Sequence, residues 1–206
     1  MNPEEFARQL NELQREIFRA IVSYHVRLAL WETPEVVDIL NRYRGFFIPV
    51  RDALYGNMVM GFAKVFDRDG RTMSLKNLLK VAEKDVDKLV PNMTREKIEE
   101  LEQHLSRHDA VLETIKQLRD QHFAHLDAIP QPKLPLIKKD MDQVIKTLKN
   151  VFNQLSAGHD KSVYSWYQAN RSAWETSEIL RILSEDAEAR KAEADALMRA
   201  VENDEA

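Results

Sequence analysis

The sequence predicts an all-α fold, an up-and-down bundle of about five to six helices. Three observations predict it. Long stretches rich in Leu, Glu, Lys, Arg, Gln and Ala favour helix. Apolar residues recur at three- and four-residue spacing, while strand-like alternation is scarce. Only five glycines and seven prolines punctuate the 206 residues. That length supports one domain with a sizeable core.

The first helix is expected from about Pro3 to Trp31, with Phe6, Leu10, Leu13, Ile17, Ile21 and Leu28 on one face. Thr33-Pro34 reads as an N-cap followed by proline at the first helical position. The second helix then runs to about Phe66, kinked at Pro49, and ends in the polar turn "DRDG". Ser74 caps a shorter third helix, "VPNMT" breaks the chain, and Thr94 caps a fourth, from about Arg95 to Asp127. "IPQPKLPLIKK" reads as a loop. A fifth helix reaches about Leu155, and a sixth starts near Ser162. Beyond Leu183 large apolar residues nearly vanish. Residues 1–183 are therefore expected to form the bundle, and 184–206 a charged tail, helical or frayed.

Composition removes several function classes. Cysteine is absent, which excludes disulfides, thiolate metal sites and a cysteine nucleophile. The formal net charge of −4 argues against bulk electrostatic binding of nucleic acid, so any such binding needs a local basic patch. No N-terminal stretch has the order of a signal peptide, and no run approaches the ~18 apolar residues of a membrane span. The expectation is a cytoplasmic protein with no membrane partner.

The stretch "LRDQHFAHLD", residues 118–127, closes the fourth predicted helix. At about 100° per residue, Leu112, Ile115, Phe123 and Leu126 fall within about 40° of Arg119, and His122 about 60° away. Arg119 thus sits near the middle of the apolar stripe and His125 near its margin. A guanidinium buried unpaired is very costly. Arg119 must therefore meet a core acid such as Asp67 or Asp38, line a cleft, or face a partner.

The same stretch resembles the signature of the HEPN superfamily, an arginine followed by a polar residue and then, after four to six positions, a histidine. Here Arg119 is followed by Asp120, and five residues separate it from His125. Arg19 and His25 share that spacing, but apolar Ala20-Ile21-Val22 follows Arg19, and the polar Asp120 and the helix-end position favour the second pair. "ALYGNMVMGFAKVFDRDGRTMSLKNLL", residues 53–79, resembles the second helix and following turn of the abortive-infection AbiU branch, and the likeness covers roughly residues 1–180.

The resemblance implies a helical bundle that forms a two-fold homodimer, with both motif copies facing one cleft. It also implies a metal-independent endoribonuclease needing no cofactor, acting as a toxin or in phage defence. RNA would be its substrate and an antitoxin protein a further partner. On this mapping His125 is the acid/base, Arg119 the phosphate clamp and Asp120 an orienting group, while His122 lines the same cleft and binds substrate. The residue types suit the task. Histidine titrates near neutrality and can move the proton of a 2′-hydroxyl. Arginine offers a fixed fork of donors to a phosphate. Two other readings stand beside this one: a non-catalytic module of the same fold holding a nucleotide or partner protein, and a structural protein whose Arg119 is an internal ion pair.

The remaining constellations rank lower. His104 and His108 are four apart, a spacing that can present metal ligands, but the glutamate of the H-E-x-x-H motif is missing and the expectation is no metal. Lys76, Lys80, Lys84 and Lys88 form a row interleaved with acids, which reads as a solvated face. Trp166, Tyr167 and Trp174 can stack on bases, although aromatics at helical spacing belong more often to a core.

Overall fold

A computed structural model describes residues 1–31, 34–120 and 136–204, and every regular element in them is a helix. The first, α1 (Pro3–Ala29), has every local reason to form. Asn2 caps it by accepting the Glu5 N–H at 2.7 Å, Pro3 opens it, and Glu4 and Glu5 complement the dipole of its first turn. Its apolar face, from Phe6 through Leu13 and Ile17 to Tyr24, is buried.

The expected second helix is two. Pro34 opens α2 (Pro34–Arg42), the chain breaks at Tyr43, and α3 (Arg44–Val65) follows with Pro49 inside it. The break divides the expected helix, and Pro49 stays within the second piece. The break lets Ile39 and Leu40 of α2 join Leu30 and Leu180 in a small second core, flanked by Phe47, Val50 and Leu54 of α3. Thr33, the expected cap, lies outside the described residues.

Ser74 accepts the Asn77 N–H and caps α4 (Leu75–Lys84); an irregular Asp85 separates it from the single turn α5 (Val86–Leu89). Thr94 likewise caps α6 (Arg95–Ser106). The long fourth helix of the sequence reading is also divided, at Arg107-His108, where α7 (Asp109–Leu118) begins. The two halves serve different neighbours, α6 packing on α4 and α8, and α7 mainly on α3. The last two helices are α8 (Lys138–Asp160) and α9 (Tyr167–Asp204). Lys161, in the left-handed region at φ 66°, ends α8 with its N–H on the Ala157 carbonyl. Nine helices among the described residues thus replace the expected five to six, because three predicted helices break where packing partners change.

The alternation of direction can be read from side-chain pairs. Arg27 lies over Tyr55 while Lys64 reaches Glu16, so α1 and α3 run antiparallel. Tyr24 bonds Asp142 while Phe6 faces His159, so α8 also opposes α1. Phe6 of α1, Phe62 of α3 and Phe152 of α8 are fully buried in the shared core, each contributing about 1.5–3 kcal/mol. The closest approach is at Gly61, where an added Cβ would lie 2.8 Å from the Ala20 Cβ. The residues after Lys161 do not start a helix at Ser162 as expected. Asn153 holds the Tyr164 N–H and C=O with its side-chain amide, so the segment runs back along α8 without helical bonds. The charged C-terminal stretch then continues α9 as helix to Asp204.

Candidate functional site

Arg119 stands where α7 ends. Ile115 and Leu118 bury the last turn of that helix against the core, and the backbone then widens to a π turn at Arg119 and Asp120, a local irregularity frequent at functional sites. The guanidinium meets two carboxylates. Its Nε donates to Asp120 Oδ1 at 2.7 Å, and its Nη1 lies 3.5 Å from Asp67 Oδ2. The Arg119 and Asp67 side chains are only 22% and 26% exposed. Of the three expectations for an inward-facing arginine, an acid, a cleft or a partner, Arg119 meets the first at Asp67.

Asp67 is fixed by the turn that follows α3. Its Oδ1 accepts the Asp69 N–H at 3.0 Å, which aims Oδ2 at Arg119. Asn77 braces the same turn through the carbonyls of Asp69 and Thr72, at 2.6 and 2.8 Å. Arg68 reaches the other end of α7 and pairs with Asp109 at 2.7 Å. One turn therefore grips α7 at its first residue and at the residue that caps its end.

Between them lies a cleft of about 330 Å³. Phe62, Phe66, Leu112 and Ile115 form its apolar floor, and Asp67, Arg68, Lys116 and Arg119 are among its charged rim. The Asp120 hydrogen bond, opposed by partial burial and aided by the Asp67 charge, raises the Arg119 pKa further above its ordinary value. The group is a fixed cation. One of its five N–H donors is hydrogen-bonded to Asp120, Asp67 stands at ion-pair distance, and no other described acceptor engages the rest. That arrangement can receive an oxyanion.

Asp120 is thus beside Arg119 as expected, while His122 and His125 lie outside the described residues. The other histidines have local partners. His25 bonds the Ala169 carbonyl at 2.7 Å, and Arg19 is 72% exposed and paired with Glu16. His108 turns from α6 to bond Thr147 at 2.8 Å, His104 faces Glu100, and His159 bonds the Leu89 carbonyl. Among the described residues no group of three or more histidine, cysteine or carboxylate side chains could hold a metal ion. The lysine row is interrupted at Asp85, so Lys88 leaves the α4 face. Trp166 belongs to the core against Phe152, whereas Tyr167 and Trp174 are exposed. No described helix is long and apolar enough to cross a membrane.

An all-helical bundle presenting an arginine and its neighbouring acid at a helix end agrees with the HEPN-type module expected from the sequence. The chain matches the family HEPN_AbiU2, described as AbiU2, over residues 3–189, and it belongs to that AbiU-like family of the HEPN superfamily. No curated protein and no solved structure matches it.

Proposed function

We propose that the protein is a HEPN-type, metal-independent endoribonuclease that works as a homodimer, in defence against phage or as a toxin. One observation carries the reading: Arg119 is a fixed cation at the rim of a nucleotide-sized cleft, with donors that no described acceptor takes. In the proposed reaction His125 removes the proton of an RNA 2′-hydroxyl. The 2′-oxygen attacks the adjacent phosphorus, the bond to the 5′-oxygen breaks, and that oxygen receives a proton from the imidazolium. The products are a cyclic phosphate and a 5′-hydroxyl. Arg119 takes up the charge that grows on the phosphate oxygens, Asp120 orients Arg119, and His122 contacts the substrate. No metal and no cofactor enters any step.

The ion pair to Asp67 also favours a second reading, a non-catalytic module of this family in which Arg119 serves structure or holds a nucleotide. Incubating the purified protein with total RNA, with and without EDTA, separates the two. Cleavage that persists in EDTA and leaves cyclic phosphate ends supports the ribonuclease. Intact RNA in both arms removes it.

A further inference from the structure

Arg27, in the last turn of α1, is unexplained by the fold. Its Nε is buried and donates to no described acceptor, and it forms no ion pair with a described carboxylate. Its guanidinium carbon lies 4.8 Å above the Tyr55 ring, a favourable but partial substitute for lost hydration. Buried charged donors left unsatisfied are rare and call for a partner.

The surroundings indicate what that partner is. Arg27 borders a cavity of about 280 Å³ with Tyr24, Leu28, Tyr55, Met58 and Lys138. Two cations thus share it with aromatic and apolar walls. The nearby carboxylate, Asp142, is engaged by the Tyr24 hydroxyl at 2.7 Å and by Lys138 at 3.6 Å. A forked cation beside a ring, with a lysine whose charge Asp142 partly offsets, is chemistry that holds a phosphate next to a sugar or base.

Its position relative to Arg119 adds a direction. Tyr55 and Met58 line this cavity, and Phe62 and Phe66 line the Arg119 cleft. Their spacing of three, four and four places them on one face of the chain at α3, whose middle, Met58 and Phe62, is buried in the core, so a strand joining the two sites must pass outside it. From Tyr55 to Phe66 is about 16 Å at the helical rise, a span that a few nucleotides of single strand bridge.

We propose that the Arg27 cavity is a phosphate-binding site and that it takes a flanking phosphate of the RNA strand held at Arg119. The second clause rests on the ribonuclease reading; the first does not. A free mononucleotide offers the same oxyanion, so the test has two arms. In the first, binding of a short 2′-O-methylated oligoribonucleotide, which cannot be cleaved, is followed over a salt series. Arg27→Gln is expected to bind about tenfold more weakly, the loss of one charge-assisted bond. Its slope of log affinity against log salt should be shallower by about 0.7. Arg27→Lys should keep the slope and lose a few-fold in affinity, and it serves alone if the glutamine variant does not fold. Variants that match the wild type in affinity and slope overturn the strand clause.

The second arm measures thermal stabilisation by adenosine monophosphate. Stabilisation of the wild type that weakens in Arg27→Lys and is lost in Arg27→Gln upholds the phosphate site, and with an unchanged first arm it reassigns the source to a free nucleotide. No stabilisation together with an unchanged first arm overturns the site. If the wild type binds no oligoribonucleotide, the ribonuclease reading fails, and the second arm alone decides the cavity.

Discussion

Arg119 and Asp67 approach to 3.5 Å across the boundary between α7 and the turn after α3, each about three-quarters buried. The pair fixes the guanidinium in two ways, since Asp67 is itself held by the Asp69 N–H and Asp120 takes the Arg119 Nε. Asp67→Asn keeps the shape and removes the charge. On the ribonuclease reading it should lower the cleavage rate about tenfold while leaving the fold intact. The Arg119 Nε–H signal in nitrogen-15 NMR should broaden as the side chain gains freedom. An unchanged rate and an unchanged signal would show that Asp67 does not position Arg119.

Replacing Arg119 or His125 with alanine should abolish cleavage. A general acid/base contributes roughly 10² to 10⁴ in rate, and a charge-stabilising donor about 10² to 10³ by analogy with oxyanion sites. Because Asp120 is 45% exposed and Asp67 only partly buried, Arg119→Ala should cost only about 1–2 kcal/mol of stability, between exposed and fully buried pairs. Folded variants with full activity would remove the catalytic assignment.

Sedimentation should find a dimer at tens of micromolar or below, since the shared-cleft mechanism needs both motif copies. A monomer throughout that range contradicts the mechanism directly.

Stability should fall on the acid side. Burial lowers the pKa of His25 and of His108 below the ordinary 6.5, with nearby cations adding to it. The folded chain therefore binds these protons less readily than the unfolded chain. Their contribution is fully present above about pH 6.5 and is lost as pH falls through the lowered values. The melting midpoint should drop below that point, and His25→Gln should make the drop shallower. A midpoint independent of pH down to about 5 would refute this.

Gly61→Ala tests the α1–α3 contact. The added Cβ would meet Ala20 Cβ at 2.8 Å and its Cα at 3.4 Å, atoms that cannot swing aside. Overpacking of this kind costs about 1–3 kcal/mol, more than the roughly 1 kcal/mol of helix propensity that alanine returns. Thermal melting should show a midpoint several degrees lower.

What could be read from the sequence was what local chemistry encodes. Ser74 and Thr94 cap the helices they were expected to cap, Pro34 opens α2, and Gly70 lies in the turn after α3. The breaks at Tyr43 and Arg107-His108 contain neither glycine nor proline, and their causes are distant: Leu180 for the first, and Thr147 for the turn at His108. The late start of α9 depends on Asn153, a contact across the chain. At the site, the position of Arg119 on the apolar stripe was legible because an inward arginine contradicts helical periodicity. Arg27 carries a weaker form of the same signal, about 80° from Ile17 at the edge of the α1 stripe, and only the cavity beside it makes it conspicuous.

The division of the long helix into α6 and α7 has a dynamic consequence. Only Ile115 and Leu118 of α7 are buried, and its two ends are tied to a single turn by charges, Arg68–Asp109 and Asp67–Arg119. Such an element opens more easily than the bundle around it, and salt weakens its exposed tether. Amide hydrogen exchange should therefore reveal α7 as a separate unit, opening ahead of α1, α3 and α8. Ionic strength would then set how long the arginine at its end stays in place.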